Sequence, residues 1–172
     1  MTQKQRLRTG YSGETKFLPY LIAVNLTRRC NLKCEHCYLD AGAKDESITE
    51  ELSTSELCNL FSEIAEKAEG TLIVLTGGEP LLRHDIGELV SEGNSLGLRM
   101  VLGTNGLGLS VTIAKELKAS GLQGVGISLD NLYPEAHDKF RGVPGAWEKT
   151  LAAIRACRAC GLHVQLHTTV TH

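Results

Sequence analysis

Half of the chain's six cysteines, Cys30, Cys34 and Cys37, stand within eight residues. They belong to the polar segment Thr27-Arg28-Arg29-Cys30-Asn31-Leu32-Lys33-Cys34-Glu35-His36-Cys37-Tyr38, spaced Cys-x3-Cys-x2-Cys. Three thiolates on one short loop can bind three corners of a [4Fe–4S] cube and leave one iron without a protein ligand. Structural zinc would ask for four ligands, commonly two Cys or Cys/His pairs set far apart, and no second pair follows at finger spacing. The plain alternative is three loop cysteines by coincidence.

Three further segments carry small or polar groups. In Thr76-Gly77-Gly78-Glu79-Pro80 the two glycines let a ligand approach the backbone, and the Glu79 carboxylate suits an ammonium group. Gly103-Thr104-Asn105-Gly106 and Ser128-Leu129-Asp130 supply hydrogen-bonding side chains able to hold carboxylate or ribose groups. Taken singly, each segment is also an ordinary turn. Gly124-Val125-Gly126 makes no dinucleotide fingerprint, and no Gly-x4-Gly-Lys phosphate loop occurs.

All four segments follow short apolar runs. Leu21–Leu26, Leu72–Leu75, Leu98–Leu102, Val125–Leu129 and Val164–Val170 read as strands, most of them continuous enough to be buried on both faces. Between them lie helical patterns. Leu57, Leu60, Phe61, Ile64, Ala65 and Ala68 share one face behind a capping box opened by Ser53 and Glu56. A second helix carries Ile86, Leu89, Val90 and Leu96, and a third runs from about Ser110 to Ser120. A fourth carries Trp147, Leu151, Ile154 and Cys157. Each stops at a glycine: Gly70, Gly97, Gly121 and Gly161. The alternation β-α-β-α-β-α-β-α-β predicts an α/β fold with a parallel sheet, either doubly wound or part of a β/α barrel. Both put ligands at the C-terminal ends of the strands, where the four polar segments fall.

The chain has 172 residues, a formal net charge of −2, 42% hydrophobic and 22% charged residues. That suits one globular domain and argues against a polyanion binder, so no nucleic-acid partner is expected. No apolar run reaches the roughly 18–20 residues of a membrane span, and the first ten residues lack the apolar region of a secretory signal. The expected location is the cytoplasm, where clustered cysteines read as metal ligands or catalytic groups before disulfides. Residues 1–19 read as a polar leader and residues 20–172 as the domain.

Cys30-x3-Cys34-x2-Cys37 followed by Gly77-Gly78-Glu79-Pro80, on this alternation, resembles the radical S-adenosylmethionine (radical SAM) enzymes. The resemblance implies a partial barrel in which a [4Fe–4S] cluster is held by Cys30, Cys34 and Cys37, with SAM chelating the open iron. It implies reductive cleavage of SAM to methionine and a 5′-deoxyadenosyl radical that abstracts hydrogen from a substrate. His36 would pack near the adenine, and Gly77, Gly78 and Glu79 would meet the methionyl ammonium. Thr104 and Asn105 would flank SAM, Ser128 and Asp130 would approach its ribose or carboxylate, and Arg141 of Phe140-Arg141-Gly142 its carboxylate.

The runs Asn25–Leu32 and His137–Gly145 are similar to maturases of this family that modify peptides or the side chains of tetrapyrroles, including heme and heme d1. Such enzymes imply a tetrapyrrole or peptide substrate and an electron donor of reductase or flavodoxin type. The family's barrel has six β/α units against five strands counted here. The sixth unit is therefore expected beyond His172, with this chain an N-terminal part.

Cys157-x2-Cys160 is read as helix packing, because Cys157 continues the Trp147–Leu151–Ile154 face and free cysteine packs as a small hydrophobe. Cys58 receives the same reading. His163 and His167 can share one face of the fifth strand. Two other functions stay open: an iron–sulfur electron carrier or scaffold whose fourth ligand is Cys58, Cys157 or Cys160, and a zinc-stabilised interaction domain.

Overall fold

A computed structural model of the chain describes residues 18–42 and 51–170. The leader read from residues 1–19 thus lies, apart from residues 18 and 19, outside the described residues. Five strands form one sheet: β1 (Leu21–Asn25), β2 (Leu72–Thr76), β3 (Arg99–Thr104), β4 (Gly124–Ser128) and β5 (His163–His167). All neighbours are parallel, and the spatial order is β1-β2-β3-β4-β5. A doubly wound sheet reverses its order at a switch point, whereas this one never does. Crossovers of a single hand then wind α-helices onto one side of the sheet, the arrangement of a barrel wall. Among the described residues the sheet is a partial (β/α) barrel with five strands.

The helices are α1 (Thr54–Lys67), α2 (Ile86–Ser95), α3 (Val111–Ala119), α4 (Pro134–Arg141) and α5 (Ala146–Ala159), with a 3-10 turn at Pro80–Leu82. The capping box forms as expected: Ser53 Oγ accepts from the Glu56 N–H, and the Glu56 carboxylate accepts from the Ser53 N–H at 2.8 Å. The glycines that end the four anticipated helices all sit at positive φ, between 68° and 103°.

Burial differs from the sequence expectation. Along β2 and β3 buried and half-exposed residues alternate. Ile73, Leu75, Met100, Leu102, Val125 and Ile127 pack with Leu57, Phe61, Leu89, Val90, Leu117 and Cys157 on the helical side. The opposite face, including Val74, Val101, Gly103 and Gly126, lines the concave interior and stays partly open. The continuous apolar runs therefore reflect an apolar barrel wall on both sides, with only one side packed. β5 ends at His167 rather than Val170, and α4 was not anticipated.

Candidate functional site

Residues from all five strand ends, His167 and Thr169 among them, and from the end of α4 line one cleft of about 230 Å³. Cys30, Cys34, His36 and Cys37 come from the loop after β1, and Gly77 and Gly78 from the turn after β2. Thr104 and Asn105 come from the end of β3, Ser128 from the end of β4, and Arg141 from the last turn of α4. Ten of the twelve residues singled out from the sequence thus meet on one surface. Glu79 and Asp130 do not line it.

The cysteine loop has no regular structure, so its shape rests on contacts with its neighbours. The Gly78 N–H donates to the Thr27 carbonyl at 2.7 Å, and the Glu79 N–H to the Arg29 carbonyl at 2.8 Å. A Cβ on Gly78 would land on the Arg29 carbonyl, and one on Gly77 would come within 2.5 Å of the Thr27 oxygen. The glycines are thus required for seating the two loops against each other, a use that ligand approach alone did not suggest. On the far side the Lys33 and Glu35 N–H groups donate to the Arg141 and Phe140 carbonyls, each at 3.1 Å. Leu32 and Ala146 are buried with Cys30 in a small satellite core beneath the loop.

Glu79 is wholly buried. Its carboxylate accepts from the Thr104 hydroxyl at 2.8 Å, the Asn105 N–H at 2.8 Å and the Leu81 N–H at 3.0 Å. Burial holds this carboxyl above the usual carboxylate range, and the three donors offset only part of the rise. The sequence expectation set the carboxylate against an ammonium group. The structure places it behind the wall, where it ties the end of β2 to the end of β3 and holds Thr104 and Asn105 in position.

Asp130 is displaced in the same sense. One oxygen accepts from Arg141 Nε at 2.6 Å and the other from the Thr169 N–H at 3.0 Å. Arg141 in turn points Nη1 at Cys34 Sγ, 3.5 Å away.

Each of the three sulfurs accepts an N–H. Cys30 Sγ takes the Leu32 N–H at 3.5 Å and Asn105 Nδ2 at 3.9 Å, Cys37 Sγ the Ala41 N–H at 3.3 Å, and Cys34 Sγ the guanidinium. Asn105 is itself steadied by the Asn31 side chain at 2.8 Å. Burial pushes the Cys30 thiol up, with Glu79, Cys34 and Cys37 adding to the rise. A bound cation reverses that logic, because a coordinating thiol is deprotonated outright. The donors already aimed at the sulfurs are those a thiolate needs. Among the described residues no three Cys, His, Asp or Glu side chains converge on a single-ion site. Each thiolate of a four-iron cube binds a different iron, so three thiols that line one cleft without converging on a point fit the cube.

His36 stacks on Phe140, with ring centroids 4.3 Å apart and planes 6° from parallel. Burial and the Arg141 charge hold its imidazole below the ordinary range. Its Nδ1 is the one buried side-chain nitrogen or oxygen among the described residues without a hydrogen-bond partner. An unsatisfied polar atom beside a cleft is what a site shaped for a polar ligand leaves behind.

The other cysteines lie elsewhere. Cys157 is buried in the main core, where burial raises its thiol to about 11. Cys58 and Cys160 pack against that same core. None lines the cleft, so the set of three cysteines there has no fourth member. Sequence reasoning missed α4 and with it the Phe140 stack. Its signal was Pro134 at the first helical position and Gly142 just past the end, an asymmetry that marks a helix even without an apolar stripe.

Comparison with known proteins follows the same outline. The family model described as the Radical SAM superfamily matches residues 24–172. An AdoMet-dependent heme synthase of Methanosarcina barkeri is 43% identical over 154 residues, covering 89% of this chain and 43% of the relative. A pre-heme d1 synthase of Dinoroseobacter shibae is 39% identical over 147 residues, 86% of this chain and 35% of the relative. The chain thus spans less than half the length of these curated relatives. Among solved structures, Streptococcus suis SuiB bound to its precursor peptide SuiA superposes with a TM-score of 0.76 at 18% identity, covering 90% of this chain and 34% of that one. Native anSMEcpe with bound AdoMet superposes at 0.68 and 22% identity, covering 85% and 42%. At such identities the likeness is one of fold.

Proposed function

The chain belongs to the radical SAM superfamily, whose members use a [4Fe–4S] cluster and SAM, and on that premise we propose that residues 20–172 form the cluster- and SAM-binding part of an enzyme that modifies tetrapyrroles. The observation that carries the reading is the cleft itself, which gathers three cysteines and leaves the other three on the helical side of the sheet. Cys30, Cys34 and Cys37 would hold the cluster with one iron open. When bound, the two groups supply one-electron cleavage of the sulfonium and a carbon radical able to abstract hydrogen.

The chain's own residues supply placement. Gly77 and Gly78 present backbone at the cleft beside the cysteine loop, suited to the methionyl amine. Ser128 and Arg141 offer a hydroxyl and a guanidinium to a carboxylate, the second a charge-assisted contact. Thr104 and Asn105 flank the site on a base fixed by Glu79. His36 and its stacked Phe140 form an apolar shelf next to the loop, suited to a purine. Electrons would come from a protein donor of reductase or flavodoxin type, and the reaction would run in the cytoplasm. Among the described residues no helix is long and apolar enough to cross a membrane.

Tetrapyrroles are favoured over peptides because relatives at 39–43% identity include heme and pre-heme d1 synthases, while SuiB and anSMEcpe match in fold. Calorimetry with SAM, before and after anaerobic reconstitution with iron and sulfide, tests the cofactor site. Binding is expected only after reconstitution, and a loaded chain that ignores SAM would reject the reading. Addition of iron-coproporphyrin III should shift the porphyrin absorption band; an unchanged band would reject the tetrapyrrole assignment alone.

A further inference from the structure

The segment Phe140-Arg141-Gly142 makes more contacts with the cysteine loop than a carboxylate-binding arginine requires. Two backbone carbonyls of α4 accept N–H bonds from the loop, at Lys33 and Glu35, and the Phe140 ring lies flat on His36 at 4.3 Å. Gly142 sits at φ 73°, and a Cβ there would come within 2.5 Å of the Lys33 carbonyl. The end of the helix is therefore pressed against the loop. Its one charged side chain on this side, Arg141, is buried, and its Nη1 reaches Cys34 Sγ at 3.5 Å.

The guanidinium is held from behind. Asp130 accepts from Nε at 2.6 Å, and its own second oxygen is tied to the Thr169 N–H at 3.0 Å. The Asp130 N–H donates to His137 Nδ1 at 3.3 Å, and His137 is itself 1% exposed. Burial and the Arg141 charge hold His137 below its ordinary range. An arginine whose Nε is fixed by a buried carboxylate and whose Nη1 lies on a thiol keeps only Nη2 for a further partner.

We propose that Arg141, positioned by Asp130, is a charged hydrogen-bond donor to the Cys34 ligand sulfur and raises the reduction potential of the cluster. This rests on the cluster assignment above. The physical reason is that reduction adds negative charge to the cluster. A fixed cation donating to one of its sulfurs stabilises the reduced form more than the oxidised form. Burial enlarges the effect, since screening by water is reduced. The role is separate from any contact with SAM, because the donor reaches the cysteine sulfur whether or not SAM is bound.

The test uses the reconstituted chain without SAM. Guanidino-15N arginine is incorporated, the cluster is reduced, and pulsed EPR reads nitrogen coupling to its unpaired spin. A coupling present in the parent and absent in Arg141→Lys is expected; a loaded parent with no arginine coupling overturns the proposal. Redox titration followed by EPR then compares variants at equal iron content. Arg141→Met should move the midpoint to lower potential, and Arg141→Lys should recover part of the shift. The Arg141→Met shift should shrink when introduced into Asp130→Asn, because Arg141 is no longer held on the sulfur there. An unchanged midpoint in Arg141→Met, or an equal shift in both backgrounds, contradicts the proposal. Failure of the parent to take up any cluster would instead reject the function proposed above.

Discussion

Two arginine–aspartate pairs in this chain close at the same distance, and they do different work. Arg83 and Asp85 meet at 2.6 Å, as do Arg141 and Asp130, and all four side chains are less than a tenth exposed. Around Arg83 every donor edge is taken by protein. Nε and Nη2 go to the two Asp85 oxygens, Nη1 goes to the Leu26 and Leu52 carbonyls, and Thr54 donates to Asp85 from the start of α1. That pair is closed, and it joins β1, α1 and α2 at the rim of the core. Around Arg141 only Nε is spent on the aspartate, while Nη1 meets a cysteine sulfur and the side chain forms part of the cleft wall. Equal ion-pair geometry thus says little about role. What the second edge of the guanidinium faces separates a structural clamp from a functional one.

The largest effect that would break the contrast lies among the cysteines. Cys30→Ala, Cys34→Ala and Cys37→Ala should each abolish a stable cluster, read as iron falling from about four per chain. Cys157→Ala should keep its iron and lose only core packing. Full iron in any of the first three would dissolve the distinction between cleft and core.

Next in size is the closed clamp. Arg83→Met leaves Asp85 buried and unpaired, which costs about 3–5 kcal/mol for such pairs, read as a lower urea midpoint. Arg141→Met should cost clearly less, because its outer edge already faces the cleft. Equal losses would mean that both pairs are structural.

A third measurement sharpens the clamp. Hydrogen bonds from Arg83 hold the Asp85 carboxyl at about 2, below its ordinary 3.8. A depressed folded pKa contributes stability that is complete above the unfolded value and is lost as pH falls through the folded one. Asp85 should therefore contribute on the order of 2 kcal/mol above pH 4, fading between pH 4 and 2. Urea midpoints across that window should fall more steeply in the parent than in Asp85→Asn, and parallel slopes would count against the pair. The smallest effect is the cap, where Ser53→Ala should lower stability by about 1 kcal/mol without touching the iron content.

The legible parts of the fold were those written in local pattern. The capping box at Ser53, the terminal glycines and the five apolar runs all rest on neighbours within a few residues, and they located the helices and strands they announce. The strand order was not legible, since periodicity does not say which strands pair. α4 was missed because His137, Asp138, Lys139 and Arg141 give it no apolar stripe. In the site, the surface positions were readable because strand ends of a parallel sheet share one edge. Glu79 and Asp130 show the limit. Sequence marks them as carboxylates near a ligand, but only geometry shows that each faces inward to hold the residue that lines the wall. Gly78 is similar, because its neighbour across the gap, Arg29, is distant in sequence.

The claim on which everything else depends is that three cysteines hold a cluster with one iron open to SAM. The most direct measurement is EPR of the chain reconstituted anaerobically with iron and sulfide, reduced, and recorded with and without SAM. A [4Fe–4S]⁺ signal whose shape changes on adding SAM is the predicted result. A cluster signal indifferent to SAM, lost on changing Cys58, Cys157 or Cys160, would contradict it and return the chain to the class of four-ligand carriers.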